Sequence, residues 1–252
     1  SYLLIGFWFE KPTAIYANMK AFLVNLVWDF GFILGIAMIL YWTGSLDYAT
    51  VFKNVGVISA HTMQLFGQPV SVITVICILL FIGAMGKSAQ FPYCSWLPRA
   101  MEGPTSSSAI FYGGLSIHAG VFLLLRLRSE FEIPVGVLLA IGVVGAISCV
   151  YGALLSQIQS DVKSALAYAS LSQVGIMFVE VSFGWISLVV VHFIGHAFLR
   201  TYQILKCSSI IHQFTESEDA HQHDVDRAKA SLIPVLLTRQ IRGWLFSTAF
   251  DL

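Results

Sequence analysis

Long apolar segments separated by short polar stretches dominate the pattern of the chain. A membrane-spanning helix needs about 20 consecutive, mostly apolar residues, because the hydrocarbon core of a bilayer is about 30 Å thick. Residues 1–212 contain six segments of roughly this kind, which predicts an all-α membrane protein built as a polytopic bundle of transmembrane helices. The predicted spans are Ala21–Trp42, Val70–Met85, Ser106–Leu125, Pro134–Leu155, Val162–Val181 and Gly184–Leu205, with a mixed loop at Thr43–Pro69.

The two ends of the chain depart from this pattern. Ser1–Phe9 is apolar but too short for a signal-peptide core with its flanks, so we interpret it as half a helix and expect the chain to be a piece of a longer one. Residues 213–230 are polar and predict a solvated loop. Residues 231–252 mix apolar side chains with Arg239 and Arg242, which favours an amphipathic helix at the membrane interface over a seventh span.

Composition agrees with a membrane protein and removes other classes. The chain is 57% apolar and 11% charged, whereas a soluble domain is typically about 25% charged. Its formal net charge of zero argues against nucleic acid as a partner. The four cysteines are scattered without a CxxC pair, which favours buried apolar cysteines over disulfides or a metal site.

Basic residues are distributed unevenly between the two sides that alternate along the predicted spans. The positive-inside rule places the richer side in the cytoplasm. We therefore expect a multi-pass protein of the cell inner membrane with the polar segment 213–230 in the cytoplasm. The richer side holds Lys11, Lys20, Arg99, Lys206, Arg227 and Lys229, and the other side holds Lys53, Arg126 and Arg128.

Lys87 follows the apolar run Val70–Gly86 and precedes Pro92. One interpretation is an interfacial lysine that extends from a helix end to the headgroups. The other is a lysine in a broken helix, where freed backbone groups line a cavity inside the protein. A lysine in such a place releases its proton more easily than one in water, so it can hold and hand on a proton.

His192, His196 and Arg200 recur every four residues, a spacing that places them on one face of a helix. Histidine titrates near neutral pH, so two stacked rings can relay a proton. Two core histidines with satisfied hydrogen bonds are the alternative. A zinc site is a weaker third possibility, because no HExxH pattern and no third ligand accompany the pair.

Other charged residues lie in or beside the apolar segments. Asp161 and Lys163 stand where one span ends and the next begins, which fits a helix cap as well as a buried pair. Asp29 lies in the middle of a span, where a charge costs about 2.5–3.5 kcal/mol, so it needs a basic partner from another helix. A possible metal-binding cluster in the polar tail consists of His212, Asp219, His221, His223 and Asp224, although a solvated acidic loop is the default interpretation.

Several long ordered motifs carry a family resemblance. Gly86–Pro92 (GKSAQFP) is followed by Trp96–Thr105 (WLPRAMEGPT). Ser160–Gly175 (SDVKSALAYASLSQVG) and His192–Phe198 (HFIGHAF) come later, and Ser1–Trp8 (SYLLIGFW) matches the end of an earlier helix. Together they resemble the antiporter-like proton-channel subunits of respiratory complex I, NADH-quinone oxidoreductase.

The resemblance implies an antiporter-like inverted-repeat fold, incomplete in this chain, with a broken helix between Lys87 and Pro92. It implies that Lys87 is the lysine of a proton half-channel and that other polar residues continue its axis. It also implies a paired glutamate upstream of this chain and a second lysine on later helices. The residues placed on the connecting axis are Asp161, Lys163, His192 and His196.

The chain departs from the respiratory pattern at single positions. Leu26 replaces an arginine before the buried aspartate, Tyr112 replaces a histidine, and Arg200 replaces a lysine after the histidine pair. His118 appears six residues after Tyr112, and Arg99 replaces an acid. His118 therefore joins Asp29 and Arg200 among the candidate pathway residues.

Two segments resemble another branch more closely. Ser108–Gly120 and Gly195–Thr201 are nearer to the membrane subunit of the bacterial inorganic-carbon uptake complex. That subunit pairs with a large zinc-containing soluble partner that resembles a carbonic anhydrase. The resemblance thus favours bicarbonate or CO2 uptake over NADH-quinone oxidoreductase as the coupled process.

We therefore predict a subunit that translocates protons across the membrane within a larger complex. Coupling to inorganic-carbon uptake is the first hypothesis, and a proton-pumping subunit of NADH-quinone oxidoreductase is the alternative. A non-conducting scaffold is a further possibility. We expect no cofactor, metal site or redox centre in the chain itself, because it carries no haem-ligand pairing, Rossmann glycines or cysteine cluster.

Overall fold

The computed structural model describes residues 2–65 and 67–218 of the chain. These residues contain eleven α-helices and one β-hairpin, besides short 3-10 and π-helical segments. Side chains are described as far as Cys207. The first helices are α1 Tyr2–Ile5, α2 Pro12–Thr43, α3 Tyr48–Lys53, α4 Val55–Ala60, α5 Val72–Lys87 and α6 Trp96–Arg99. The remaining helices are α7 Thr105–Ser108, α8 Ala119–Glu130, α9 Val135–Ile158, α10 Val162–Phe183 and α11 Ile186–Glu218.

Five helical segments within these residues are long and apolar enough to cross a membrane. They are Pro12–Thr43, Thr105–Glu130, Val135–Ile158, Val162–Phe183 and Ile186–Cys207. Helix α5 is apolar but has only 16 residues, about 24 Å at 1.5 Å per residue. It stops short of a full span because the chain breaks after Lys87. The prediction of a polytopic helix bundle is confirmed.

Local chemistry at the helix ends accounts for their bounds. Pro12 opens α2, where its missing N–H costs nothing. Gly44 and Gly184 end α2 and α10 with φ of 68° and 80°, a left-handed conformation that glycine adopts without steric cost. Asp161 begins α10, and its carboxylate accepts a hydrogen bond of 2.8 Å from the Ser164 N–H.

Helices α9 and α10 pack closely through a pair of glycines. A Cβ on Gly145 would lie 2.6 Å from the Gly175 carbonyl oxygen, and a Cβ on Gly175 would lie 2.6 Å from that of Gly145. Gly142 faces Ser182 in the same interface. Gly136, near the start of α9, has open space around it and takes no part in this contact.

The irregular chain between α5 and α6 confirms the predicted broken helix, and its first residues are buried. Ser88, Ala89 and Gln90 are all within 1% of complete burial. The Phe91 N–H donates to the Ser148 hydroxyl of α9 at 2.9 Å, so the freed backbone group has a partner inside the protein. Non-helical backbone at membrane depth requires this kind of internal partner.

A second interruption lies in the span Thr105–Glu130. A π-helical segment, Ala109–Leu115, and a short 3-10 turn, Ser116–His118, separate α7 from α8. π segments are rare and often stand at functional sites. Helix α11 packs on this segment, where Gly113 allows the Thr201 backbone to approach closely. The interruption brings His118 to a fully buried position.

Two regions differ from the predicted elements. The mixed loop at Thr43–Pro69 contains α3, α4 and the strand β1, Thr62–Leu65, which pairs antiparallel with β2, Gln68–Ser71. Helix α11 continues to Glu218, so the first residues of the predicted polar loop 213–230 are helical. The rest of that loop and the predicted interfacial helix 231–252 lie outside the described residues and stay predictions.

Candidate functional site

Lys87 and Asp29 form an ion pair where α5 ends against the middle of α2. The Lys87 Nζ donates to the Asp29 Oδ2 at 3.1 Å. Asp29 is more than 20 Å along the helix from either end of α2 at 1.5 Å per residue. The end of α5 therefore meets α2 near the middle of that span. Lys87 is thus the basic partner that the sequence could not identify for Asp29.

The pair opens into a cavity of about 380 Å³ between α2, α5 and α8. The side chains of Lys87 and Asp29 are 39% and 35% exposed, respectively. Ser116, Ala119 and Gly120 close the other side of the cavity. A cavity lined by an acid–base pair at membrane depth has the polar surface needed to admit water.

His118 and His196 meet across the interface between the interrupted span and α11. The His118 Nε2 lies 2.8 Å from the His196 Nδ1, and the two residues are 0% and 6% exposed. One ring must donate and the other accept, so a single proton lies between the His118 Nε2 and the His196 Nδ1. This contact connects two segments that are 78 residues apart in the sequence.

His192, one turn before His196 on α11, forms a second acid–base pair. Its Nδ1 lies 2.9 Å and 3.2 Å from the two carboxylate oxygens of Glu180 on α10. Its Nε2 lies 3.1 Å from the Gln173 Oε1. The rings of His192 and His196 are perpendicular, with 6.3 Å between their centroids. The two histidine contacts therefore form one row along α11.

Arg200 continues the row and is buried, with 7% of its surface exposed. It lines a cavity of about 410 Å³ together with Gln173, His192, His196 and Gln203. Three polar atoms in this cavity have no hydrogen-bond partner among the described residues: His196 Nε2, Arg200 Nε and Gln203 Oε1. No carboxylate in the described part of the chain pairs with Arg200.

Asp161 and Lys163 are not brought together with the histidines. Asp161 is exposed and caps α10 through the Ser164 N–H. Both residues are close enough to Cys207, 11 positions after His196, to interact with it electrostatically. The geometry supports the helix-cap interpretation for Asp161, and the role of this pair on a connecting axis stays a prediction.

The Lys87 pair and the histidine row lie on opposite sides of the interrupted span. The Ser88 hydroxyl, next to Lys87, donates to the Ile117 carbonyl, next to His118, at 2.7 Å. Ala119 lines both the cavity at Lys87 and a second cavity that contains His118. The backbone of Ile117, His118 and Ala119 thus lies between the Lys87 pair and the histidine row.

Glu180 and Gln173 are site residues that the sequence reasoning missed. Glu180 stands in the apolar run Met177–Val181 and is 7% exposed. The argument that selected Asp29, an acid inside a predicted span, applies equally to Glu180. Gln173 carries no charge and offered no comparable signal.

No group of three or more possible metal-ligating side chains exists among the residues whose side chains are described. The possible cluster of His212, Asp219, His221, His223 and Asp224 lies outside them, so a metal site there stays untested.

Acid–base pairs beside two interrupted helices, within a bundle of apolar spans, define a polytopic membrane protein of the antiporter-like class. The chain belongs to the NADH:quinone oxidoreductase/Mrp antiporter transmembrane family, whose model matches residues 1–230. This membership confirms the predicted family resemblance and a multi-pass location in the cell inner membrane.

Named relatives are subunits of NADH-quinone oxidoreductase. The chain is 46% identical to subunit L from Neisseria meningitidis serogroup A over 213 residues, covering 84% of this chain and 32% of that protein. It is 38% identical to subunit L from Rhodobacter capsulatus over 229 residues, covering 91% of this chain and 32% of the relative. The chain thus spans about a third of the length of these relatives.

A solved structure shares the fold. The Mrp complex from Dietzia sp. DQ12-45-1b superposes with a TM-score of 0.72 and 26% identity, covering 81% of this chain and 22% of that one. By their names, these relatives are subunits or parts of multi-subunit complexes. These comparisons favour NADH-quinone oxidoreductase over inorganic-carbon uptake as the related system, and they do not support the carbonic-anhydrase-like partner.

Proposed function

We propose that this chain belongs to an antiporter-like subunit that moves protons across the membrane for an NADH-quinone oxidoreductase. The observation that carries the proposal is the pair of polar groups on either side of one interrupted span. One group is Lys87 with Asp29, and the other is the row from His118 through His196 to His192. A non-conducting scaffold gains nothing from such groups, since each charge is costly at membrane depth.

The proposed pathway uses groups that exchange protons without changing covalent structure. Lys87 holds a proton while Asp29 balances its charge, and it releases that proton when the balance changes. His118 and His196 already share a hydrogen bond of 2.8 Å, so a proton entering one ring displaces a proton from the other. Water in the cavities at Lys87 and Arg200 would connect the steps that no direct hydrogen bond covers.

The remaining candidates have different roles in this proposal. Arg200 stays charged at all relevant pH values, so it sets the local potential of the row and does not shuttle a proton. Asp161 and Lys163 lie nearer the other end of α11, where they would continue the axis towards later parts of the protein.

Inorganic-carbon uptake is the second candidate, and three positions favour it. Tyr112, His118 and Arg200 depart from the respiratory pattern in the direction of that branch. In this case the partner is a zinc-containing, carbonic-anhydrase-like soluble subunit rather than a redox arm.

Purification of the full-length protein with its native partners distinguishes these functions. A complex with flavin, iron–sulfur centres and NADH-driven quinone reduction, which acidifies or alkalises proteoliposomes, supports the first proposal. A zinc-containing soluble partner without redox activity supports the second. An assembled complex that leaves a proton gradient undisturbed under every driving force contradicts proton translocation itself.

A further inference from the structure

Glu180 occupies an unfavourable place for a carboxylate. It is 7% exposed and lies four residues before Gly184, the residue that ends α10. The C-terminal end of a helix carries partial negative charge, which repels an acid, and burial adds the cost of desolvation. Packing or helix stability therefore does not account for this side chain.

His192 compensates for that cost. Both carboxylate oxygens lie within 3.2 Å of the His192 Nδ1. Gln173 Oε1 accepts from the Nε2–H on the far side of the same ring, which orients the ring with its Nδ1 towards Glu180. The Nδ1 is then the one ring atom that exchanges a proton with Glu180.

This arrangement has two states of equal total charge. In one, Glu180 is ionised and the His192 Nδ1 carries a proton, giving an imidazolium–carboxylate pair. In the other, the proton has moved from the Nδ1 to a Glu180 oxygen: the N–H bond breaks, an O–H bond forms, and both groups are neutral. Because the total charge is unchanged, the exchange avoids placing a net charge in the apolar bundle.

The pair of Glu180 and His192 lies at one end of the histidine row. His192 lies six residues after the start of α11 at Ile186, about 9 Å along the axis. Glu180 is one turn from the connection between α10 and α11 on its own helix. From here the row runs inwards through His196 to His118, away from that connection.

We propose that Glu180 is a proton-holding site that hands protons between the α10–α11 end of the bundle and the histidine row. This inference rests on the proposed proton-translocating function. Glu180 with His192 then forms a second acid–base pair, on the opposite side of the interrupted span from Asp29 with Lys87.

The direct test compares Glu180→Gln with Glu132→Gln in the full-length complex reconstituted in proteoliposomes. Gln keeps the size of Glu180 and a hydrogen bond to His192 but cannot ionise. Removing a proton-transfer group typically lowers a rate by about 10²–10⁴-fold, so we expect at least a tenfold slower proton uptake for Glu180→Gln. Glu132 is exposed between α8 and α9, and its variant should transport at the wild-type rate.

Infrared difference spectra recorded on changing the pH measure protonation of carboxyl groups directly, which a purely structural role of Glu180 would not affect. The wild type and Glu132→Gln should show a C=O stretching band from a buried carboxylic acid, and Glu180→Gln should lose it. A band that survives in Glu180→Gln overturns the inference. If that variant fails to assemble, Glu180→Asp decides: its carboxyl band should shift in frequency, and an unshifted band overturns the inference.

Failure of this inference is distinguishable from failure of the proposed function. If Lys87→Met abolishes transport while Glu180→Gln transports at the wild-type rate, the function stands and Glu180 is not a proton site. If both variants transport at the wild-type rate, the proposed pathway itself is wrong.

Discussion

Replacing Lys87 with methionine separates its electrostatic role from its role in transport. Methionine preserves most of the length and apolar volume of the side chain but removes the charge. Asp29 then remains without the partner that lies 3.1 Å away in the wild type. The variant should still insert in the membrane, because the apolar spans are unchanged, but transport should be abolished.

The size of the stability effect follows from the exposure of the pair. An unpaired aspartate at the centre of a span costs about 2.5–3.5 kcal/mol on insertion scales. The two side chains are more than a third exposed, 39% for Lys87 and 35% for Asp29, so screening in the cavity reduces this figure. We expect Lys87→Met to lose about 1–2 kcal/mol of stability, below the limit for a fully buried charge.

The double variant Asp29→Asn with Lys87→Met tests this reasoning. It removes both charges, so it should recover at least half of the stability lost in Lys87→Met while transport stays abolished. Denaturant unfolding of the purified complex measures the stability, and a pH-sensitive dye inside proteoliposomes measures transport. Lys53→Met, an exposed lysine on α3, should match the wild type in both assays.

Two results would refute the argument. Normal transport by Lys87→Met would show that Lys87 does not carry protons. A double variant no more stable than Lys87→Met would show that the contact with Asp29 contributes nothing to stability.

Three further substitutions test packing, the helix break and the charge of the row. Gly175→Val should destabilise the protein by about 1–3 kcal/mol through steric clash between α9 and α10. The control Gly136→Val meets open space and should change the free energy of unfolding by no more than about 0.5 kcal/mol. Equal effects of the two variants would contradict the glycine contact. Ser148→Ala leaves the part-buried Phe91 N–H without its acceptor and should cost about 1 kcal/mol in the same unfolding assay. An unchanged midpoint would mean that the break does not need this bond. Arg200→Lys should reduce proton uptake in proteoliposomes without changing assembly, because lysine lacks the planar fork; full activity would show that the fork is dispensable.

Apolar length predicted the spans well because the thickness of the bilayer imposes it directly. The break after Lys87 was also predictable, since Pro92 disfavours helix at the preceding residue and removes a backbone donor. Both signals are local, and each depends on a few neighbouring residues rather than on the tertiary arrangement.

Contacts between distant segments were not predictable in this way. The sequence showed that Asp29 needed a basic partner, but Lys87 lies 58 residues away, and several other basic residues were open candidates. The π segment at Ala109–Leu115 gave no sequence signal, because its residues also suit an ordinary helix. Its effect, the burial of His118 against His196, became visible only with the packing of α11.

Charge balance explains why the three basic groups of the site differ. Lys87 is paired with Asp29 and His192 with Glu180, so each of these two groups has a carboxylate beside it, whereas His118 and His196 contact each other. Arg200 does not exchange protons, and no carboxylate in the described part of the chain pairs with it. Its fixed charge therefore acts on the neighbouring ring of His196, where it opposes the arrival of a proton and favours its departure. The row has a carboxylate pair at its His192 end and a fixed positive charge beside His196 in its middle. The middle of the row therefore disfavours a resident proton, which suits a relay better than a store.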